Sequence, residues 1–574
     1  MNHEIMAPIM FASLIGFLLI GYPVAFALSA VGLLFSFIGI ELGIMPASLL
    51  QALPQQVFDI MKNDTLLAIP FFTFMGLILE RSGMAEEMLD TIGQLFGRVR
   101  GGLAYAVIFV GALLAATTGV VAASVISMGL ISLPIMMRYG YDPRVATGVI
   151  AASGTLAQII PPSLVLIVLA DQLGTSVGDM YAGALVPGLA LTGLYALYIF
   201  AVTIVKPNAV PALPAEARTL REPNGSSGAP SLLALLALCI TAGLGYDHYH
   251  YATADTPFDE RLIVSGLIGI AIAFTAAVIN RVTKLGLLSK AAERVVFVMV
   301  PPLVLIFLVL GTIFLGVATP TEGGAMGAVG AIILALVKRK LSLDLARQAM
   351  NSTLKLTTFV VFILIGARVF RIAFLGVDGD AWVEHLFVSL PGGEVGFLIV
   401  VNLLIFILAF FLDFFEIAFI LVPLLAPIAQ KLGINLVWFG VMLGVNMQTS
   451  FMHPPFGFAL FYLRSVAPKS IKTTDIYWGA VPYVLIQVVM VGLVISFPKL
   501  VTHALHNPVA ESTQSTEEVL QGLPQDAPTE QSEGDGGAAL MEESGSKLPA
   551  PLPEIDKDQV DPAAALLEEA GKTN

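Results

Sequence analysis

Charged residues and cysteine are scarce in this chain of 574 residues. Charged side chains make up 12% of it, hydrophobic residues make up 57%, and the mean hydropathy is +0.86. This composition excludes a soluble enzyme, because a globular core cannot bury so large a share of hydrophobic residues. The acidic balance, 42 Asp and Glu against 29 Lys and Arg, excludes a nucleic-acid binder. The single cysteine, Cys239, leaves no partner for an internal disulfide.

Long apolar runs, by contrast, recur from the N-terminus to about Pro498. They predict an all-α polytopic membrane protein. Four runs are too long for one crossing and carry polar, glycine or proline residues near their centres. Because backbone that leaves the helix at membrane depth must be satisfied by protein, such runs predict re-entrant hairpins and broken helices. We assign hairpins to 103–137 and 395–430, and broken helices to 145–172 and 436–466.

We predict six parts along the chain, of which five form the membrane body and the last is a polar tail. They are N-terminal scaffold spans with a first interfacial arm (1–102), a first repeat (103–205), a linker with two extra spans (206–294), second scaffold spans with an interfacial arm (295–376), a second repeat (377–498) and a disordered acidic tail (499–574). From residue 506 onward the tail has 15 acidic residues against three lysines, a net charge of −12. Its Pro, Gly, Ser and Gln content predicts disorder, with a docking segment as the alternative.

The basic residues predict the orientation of the spans. With each hairpin entering and leaving on one side, 20 of the 29 Lys and Arg residues fall on the same side of the membrane. The positive-inside rule makes that side cytoplasmic. The N-terminus and the tail are then expected outside, in the periplasm of a Gram-negative bacterium, and the protein in its inner membrane.

The two hairpins begin two similar stretches, which predicts an internal repeat. The shared positions are Pro134 with Pro423, Pro161–Pro162 with Pro454–Pro455, Asp179–Met180–Tyr181 with Asp475–Ile476–Tyr477, and Pro187 with Pro482. The topology above puts the two copies in opposite orientation. An inverted repeat with one broken helix in each half is typical of the binding site of a secondary transporter.

Each double proline frees backbone carbonyls at membrane depth, where a hairpin tip of small or acidic residues can meet them. Oxygen atoms in that arrangement suit Na⁺, and nearby helix N-termini suit an anionic substrate. The first candidate set is Thr118, Gly119, Ser124, Ser153, Gly154 and Thr155. The second set is Asp413, Glu416, Asn446, Gln448, Thr449, Ser450 and His453. For the small residues the alternative is close helix packing, and for Glu416 it is a place at the water boundary.

Two further pairs of residues have both a functional and a simpler interpretation. Arg368 and Arg371 lie one turn apart near the outer end of a span, where they either clamp a substrate carboxylate or extend to the interface. His248 and His250, on an expected outer loop, would give at most a weak metal site. The extra spans around them either enlarge the scaffold or contact a partner subunit.

Four motifs resemble one family, the large membrane subunit of TRAP (tripartite ATP-independent periplasmic) transporters. In chain order they are TTGVVAASVISMG with GTLAQIIPPS, GVATPTEGGAMGA, FFLDFFEIAFILVP and QTSFMHPPFGFALFYLRSVAP. The resemblance covers about 5–205 and 295–498. It implies an elevator-type, Na⁺-coupled uptake permease for small organic acids, without an organic cofactor. It also implies two partners, a four-helix small membrane subunit and a periplasmic substrate-binding protein.

The sequence departs from the family pattern at two positions. Val120 stands where the family has Ser after the tip glycine, so a side-chain hydroxyl is missing there. His453 stands where the family has Thr before the second double proline. We expect His453 to make the second site pH-sensitive or to weaken Na⁺ binding there. The alternative is a packed neutral histidine bonded to a carbonyl.

Other function classes remain as alternatives. A stand-alone Na⁺/dicarboxylate carrier of the same superfamily would transport without a binding protein. A membrane-embedded enzyme would need paired intramembrane Asp residues, His-Glu-x-x-His, or a Ser with a basic partner, and the sequence has none of these. A channel would need a selectivity filter, which nothing in the sequence resembles. We therefore expect a transporter subunit and not an enzyme.

Overall fold

Nearly every apolar run of the sequence forms a helix in the structure. The computed structural model describes residues 5–118, 121–218, 228–251, 258–284, 286–388, 390–455, 457–503 and 505. Within that part of the chain every regular element is helical and none is a strand. The tail from residue 506 and the tip residues Gly119 and Val120 lie outside the described residues, as does the side chain of Thr118.

The N-terminal part has five helices: α1 (Met6–Ile20), α2 (Val24–Glu41), α3 (Leu53–Met61), α4 (Asp64–Arg81) and α5 (Met84–Phe96). The predicted first repeat follows as α6 (Gly102–Thr118), α7 (Val121–Arg138), α8 (Pro143–Thr155), α9 (Leu164–Leu173) and α10 (Val177–Val205). The described part of the run 103–137 forms α6 and α7, and the run 145–172 is a helix that stops and restarts. This second interruption falls at the double proline, where the sequence predicts it.

The middle part has the extra pair α11 (Ala229–Tyr251) and α12 (Phe258–Thr283), then α13 (Lys290–Phe314), α14 (Pro320–Val337) and α15 (Leu343–Gly376). The predicted second repeat has α16 (Gly379–Val388), α17 (Gly393–Leu408), α18 (Phe414–Ile420), α19 (Val422–Lys431), α20 (Leu436–Met447), α21 (Phe458–Val466) and α22 (Thr473–Ser496). The short helix α23 (Lys499–Thr502) lies at the start of the predicted tail. By length and composition, nine of the described helices can cross a membrane, or up to eleven if two bent pairs each count as one span.

Two segments of this region are helical. α15 is one helix from Leu343 to Gly376, because no proline or glycine interrupts the chain between Leu343 and Gly366, and the acidic segment between α15 and α17 contains α16. One expectation, that His248 and His250 lie on a loop, differs from the structure. His248 and His250 lie in the last turn of α11, where the His250 ring packs 4.3 Å from Tyr246.

Side-chain caps explain where many of these helices begin. A Ser, Thr, Asp or Asn side chain accepts a hydrogen bond from the backbone N–H two or three residues later and satisfies a donor that the first turn leaves free. The capping residues are Asn63 for α4, Asp142 for α8, Ser176 for α10, Ser289 for α13, Thr319 for α14, Ser342 for α15, Asp413 for α18 and Asn435 for α20. These caps fix the residue at which each helix begins, including α8 and α20, the helices that precede the two breaks.

The helix that precedes the first break packs directly against the last long span. A Cβ atom on Gly148 of α8 would lie 2.1 Å from the Gly479 carbonyl oxygen of α22, so only glycine allows the two backbones to approach so closely. Together with α4–α14 and α2–α15, this pair forms one of the most extensive helix contacts in the protein. Elements of the two predicted repeats are therefore in direct contact.

Candidate functional site

The first helix break begins where α8 ends at Thr155. A short 3-10 turn, Leu156–Gln158, and an irregular segment with a cis Pro161–Pro162 bond separate it from α9. The Ser163 hydroxyl donates a hydrogen bond of 2.6 Å to the Gln158 carbonyl oxygen, which satisfies one carbonyl that the prolines leave free. A hydroxyl group within the break therefore stabilises it.

The second break repeats this pattern at the end of α20. A 3-10 turn, Gln448–Phe451, precedes a cis Pro454–Pro455 bond, and α21 begins beyond it. Thr449 and Ser450 turn their hydroxyls back on the helix, donating to carbonyl oxygens three residues earlier at 2.7 and 2.6 Å. Both side chains are buried, where water cannot reach the last carbonyl groups of the helix, so the two hydroxyls act as hydrogen-bond donors to these carbonyls.

A side-chain hydrogen bond joins the two breaks. The Gln448 amide donates to the Thr155 hydroxyl over 3.1 Å, and that hydroxyl donates to the Ala152 carbonyl oxygen over 2.8 Å. The Tyr195 hydroxyl lies near Thr155 and accepts a hydrogen bond of 2.9 Å from the Gln487 amide. The sequence predicts Thr155 and Gln448 in two separate sites, whereas the structure places them in one buried polar network.

Several oxygen and nitrogen atoms at the breaks have no hydrogen-bond partner among the described residues. They are the Ser153 hydroxyl, the Gln158 and Gln448 amide oxygens, and both ring nitrogens of His453. All four side chains are at most 1% exposed. Buried polar atoms normally have partners, so unpaired oxygens at a helix break can act as ligands for a hard cation. Ser153, Gln448 and His453 are among the predicted site residues, and Gln158 is an addition.

The second tip is organised by a reciprocal capping box. The Asp413 carboxylate accepts from the Glu416 N–H, and the Glu416 carboxylate accepts from the Asp413 N–H, both at 2.9 Å. A first role of both carboxylates is therefore to start α18. The sequence pattern Asp-x-x-Glu before an apolar run is a recognisable sign of such a box, and the sequence interpretation overlooked it. Each carboxylate has a second oxygen that this box does not use.

The start of α7 packs closely on the end of α8. Gly154 lies so near α7 that a Cβ atom there would be 2.3 Å from Val125 Cγ2. A Cβ atom on Gly111 of α6 would be 2.6 Å from Ser153 Cβ. Ser124 is buried in α7, at 1% exposure. For Gly154 the structure shows the close helix contact that was the alternative to ion binding, and this contact brings the start of α7 next to the first break.

A cavity of about 770 Å³ lies between these elements. Its walls come from the start of α7, from both helix breaks, from the second tip and from α15. The described residues that line it include Val121, Gln158, Asp413, Glu416, Phe451 and Lys355. The volume is within the range of about 300–1,000 Å³ that is usual for small-molecule sites. Of the predicted site residues, Asp413 and Glu416 line this cavity, and the two helix breaks reach it through Gln158 and Phe451.

The remaining predicted residues that the structure describes are not among those that line it, and three of them make contacts elsewhere. Arg368 and Arg371 line a smaller cavity of about 280 Å³ with Gln172 and Gln430. The Arg371 guanidinium donates a hydrogen bond of 2.8 Å to the Pro423 carbonyl oxygen, so it supports α19. Asn446 donates to the backbone and side-chain oxygens of Asn402 at 2.8 and 3.0 Å and thereby ties α20 to α17.

His453 is packed between two aromatic rings. Its ring centroid lies 4.2 Å from that of Phe410, nearly parallel, and 4.4 Å from that of Phe406. The Ala409 carbonyl is nearby, but neither ring nitrogen has a partner with hydrogen-bond geometry among the described residues. The expected bond from a packed histidine to a carbonyl is therefore missing.

Sequence reasoning missed several residues of this region. Gln158, Asn402 and Gln487 interrupt apolar helices, and the rule that polar residues inside a membrane are functional would have identified them. Tyr195 and Lys355 gave no such signal, because a tyrosine within a span and a lysine at its end are common. A metal cluster of three or more His, Cys, Asp or Glu side chains is absent from the described residues, His248 and His250 included.

The fold defines a multi-pass helical membrane protein with two helix breaks that meet in its interior. A family model described as "Tripartite ATP-independent periplasmic transporter, DctM component" matches residues 11–259 and 260–500. The chain therefore belongs to this family of large TRAP permease subunits. Because its relatives are named as transporter permeases, the expectation that the protein is not an enzyme is confirmed.

Individual relatives agree with this assignment. The C4-dicarboxylate TRAP transporter large permease of Pseudomonas aeruginosa is 29% identical over 80% of this chain and 90% of its own length. The Rhodobacter capsulatus protein of the same name is 28% identical over 86% and 97%. The sialic acid TRAP transporter large permease of Vibrio cholerae is 24% identical over 84% and 95%. The solved Alcanivorax borkumensis YdaH transporter aligns with 79% of this chain and 89% of its own at 16% identity, but its TM-score of 0.42 is too low to support a shared fold.

Proposed function

We propose that this chain is the large transmembrane subunit of a Na⁺-coupled secondary active transporter that takes up small organic acids. The observation that carries this proposal is the single cavity bordered by both helix breaks and the second tip. Relatives named for C4-dicarboxylates and for sialic acid support an organic acid as substrate. Transport of this kind proceeds by conformational change and needs no covalent chemistry.

The atoms at the breaks suit Na⁺, which prefers several oxygen ligands. At the first break we propose the Ser153 hydroxyl, the Thr155 hydroxyl and the Gln158 amide oxygen as ligands, with Thr118, Gly119 and Ser124 from the tip. At the second break we propose the free carboxylate oxygens of Asp413 and Glu416 with the Gln448 amide oxygen, assisted by Thr449 and Ser450. The unpaired buried oxygens at both breaks support this assignment.

We infer an elevator-type mechanism in which α6–α10 and α16–α22 form two inverted repeats that move together against the remaining helices. The matched prolines and the paired breaks support the repeat. The hydrogen bond from Gln448 to Thr155 would keep the two breaks in register during such a movement. In this arrangement α6–α7 and α17–α19 are re-entrant hairpins that enter from opposite sides of the membrane.

We further propose two partners, a four-helix small membrane subunit and a periplasmic substrate-binding protein. The description of the family as tripartite and periplasmic supports both. The protein then lies in a bacterial inner membrane, with the N-terminus and the tail in the periplasm. The distribution of Lys and Arg supports this orientation.

Uptake into proteoliposomes tests the proposal. The vesicles contain this chain and its small subunit, an Na⁺ gradient is imposed, and a panel of labelled organic acids is supplied with and without the cognate binding protein. We expect uptake only when both the gradient and the binding protein are present. Uptake that needs Na⁺ but no binding protein would instead identify a stand-alone carrier. Uptake that is indifferent to Na⁺ would disprove the ion sites.

A further inference from the structure

The cavity between the breaks has one positively charged residue in its described wall. Lys355 of α15 lines it, as does the acidic pair Asp413 and Glu416 of the second tip. Not one of the seven ion pairs among the described residues involves Lys355. The side chain is exposed, so its ammonium group is available to a ligand that enters the cavity. An ammonium group without an ion pair to a protein carboxylate can pair with the carboxylate of a ligand.

A second polar group of the cavity wall comes from the first break. Gln158 is 1% exposed, and its amide oxygen has no hydrogen-bond partner among the described residues. A glutamine amide offers two donors and one acceptor, so its nitrogen can donate to a carboxylate of the ligand while its oxygen faces the Na⁺ proposed at the first break. The backbone of Gln158 is fixed by the bond from Ser163, which holds the side chain at the cavity wall.

The rest of the wall is strongly aromatic. It includes Phe359, Phe414, Phe415, Phe451, Phe458 and Tyr462. Phe359 and Phe415 pack edge to face with centroids 6.3 Å apart, so α15 and the second tip form one continuous aromatic surface. Such a surface favours a ligand with an apolar or aromatic body, because aromatic rings pack more favourably against apolar groups than against a chain of hydroxyl groups.

Charge balance limits how many carboxylates the ligand carries. With both carboxylates ionised, Asp413, Glu416 and Lys355 together contribute a net charge of −1 to the cavity wall. Two Na⁺ ions, one at each proposed ion site, raise this charge to +1. One carboxylate then makes the site neutral, whereas a second would leave an uncompensated negative charge in a region of low dielectric.

We propose that this cavity binds an organic monocarboxylate with an apolar or aromatic body, whose carboxylate is held by Lys355 and Gln158 and whose body lies against the aromatic wall. The proposal rests on the proposed function, because the charge balance uses its two Na⁺ sites. It assigns a substrate class that differs from the dicarboxylates and the sialic acid named for the relatives.

Ligand binding to the purified full-length chain in NaCl tests this assignment. The probes are phenylacetate, its neutral analogue phenylacetamide, the dicarboxylate succinate and the hydroxylated monocarboxylate gluconate, and the readout is the dissociation constant from calorimetry or thermal shift. We expect phenylacetate to bind most tightly. Lys355→Gln should weaken phenylacetate binding by roughly tenfold or more, because a charge-assisted bond is lost, and should leave phenylacetamide unchanged. Lys355→Arg should retain most of the affinity.

Arg347→Gln is the matched control, since it removes one positive charge from the same helix at a position that does not line the cavity. Equal effects of Lys355→Gln and Arg347→Gln on phenylacetate would overturn the proposal. Tighter binding of succinate or gluconate than of phenylacetate would also overturn it, as would a lack of binding by any acid. The uptake assay separates the two proposals: if organic acids are still taken up with Na⁺, only the substrate assignment fails.

Discussion

The Gln448 amide donates a hydrogen bond of 3.1 Å to the Thr155 hydroxyl, and this bond joins two buried residues 293 positions apart in the chain. Each residue lies at the end of a helix that stops before a double proline. The two side chains do not depend on the bond equally. Thr155 also donates to the Ala152 carbonyl oxygen, whereas the Gln448 amide oxygen has no partner among the described residues.

This asymmetry predicts that replacing Thr155 and replacing Gln448 by apolar residues of similar size destabilise the protein to different extents. Thr155→Val should lower the free energy of unfolding by about 1–3 kcal/mol, because it leaves the Gln448 amide buried without an acceptor. Gln448→Met should cost less than about 1.5 kcal/mol, since it removes the unpaired oxygen together with the donor. Thermal or denaturant unfolding of the purified protein measures both. The double variant should resemble Gln448→Met alone, and a larger loss from Gln448→Met than from Thr155→Val would refute the argument.

Close packing between α7 and α8 predicts a steric effect at Gly154. Gly154→Ala places a methyl group 2.3 Å from Val125 Cγ2 and 3.2 Å from the Val125 backbone nitrogen. We expect a loss of about 1–3 kcal/mol in stability, as for other overpacked sites, and slower uptake. Gly193→Ala in α10 is the control, because nothing lies within 4 Å of its Cβ position. If both variants unfold at the same temperature, α7 and α8 are not in the close contact described above.

The broken helices were predictable because their cause is local. Two adjacent prolines in an apolar run remove backbone donors, so the breaks before Pro162 and Pro455 follow from the sequence alone. The bond between Gln448 and Thr155 could not be predicted, because no local pattern pairs residues so far apart. Asp413 lies between these cases, since its place at the tip was predicted but its capping role was not.

The two unpaired ring nitrogens of His453 motivate a prediction for the second break. His453→Thr restores the Thr-Pro-Pro pattern and replaces a ring that is wedged between Phe406 and Phe410. We expect the Na⁺ concentration for half-maximal uptake to fall several-fold and the pH dependence of uptake to flatten, because an oxygen ligand replaces a titratable ring. Uptake measured against Na⁺ at several pH values tests this. His385→Thr, in α16, is the control. If Na⁺ and pH dependence both stay as in the wild type, His453 has only a packing role.

Two roles are assigned to Asp413, a helix cap and an ion ligand, and replacing one carboxylate oxygen by an amide nitrogen separates them. Asp413→Asn keeps a side-chain oxygen for the Glu416 N–H, so α18 should remain capped and stability should change by less than about 1 kcal/mol. Na⁺-driven uptake should nevertheless fall tenfold or more, because the negative charge that balances the ion is gone. Glu322→Gln provides the control, since Glu322 completes an equivalent capping box at α14 that does not line the cavity. If Asp413→Asn unfolds at the normal temperature and still transports normally, capping is the whole role of this carboxylate, and the second ion site must be built from the break alone.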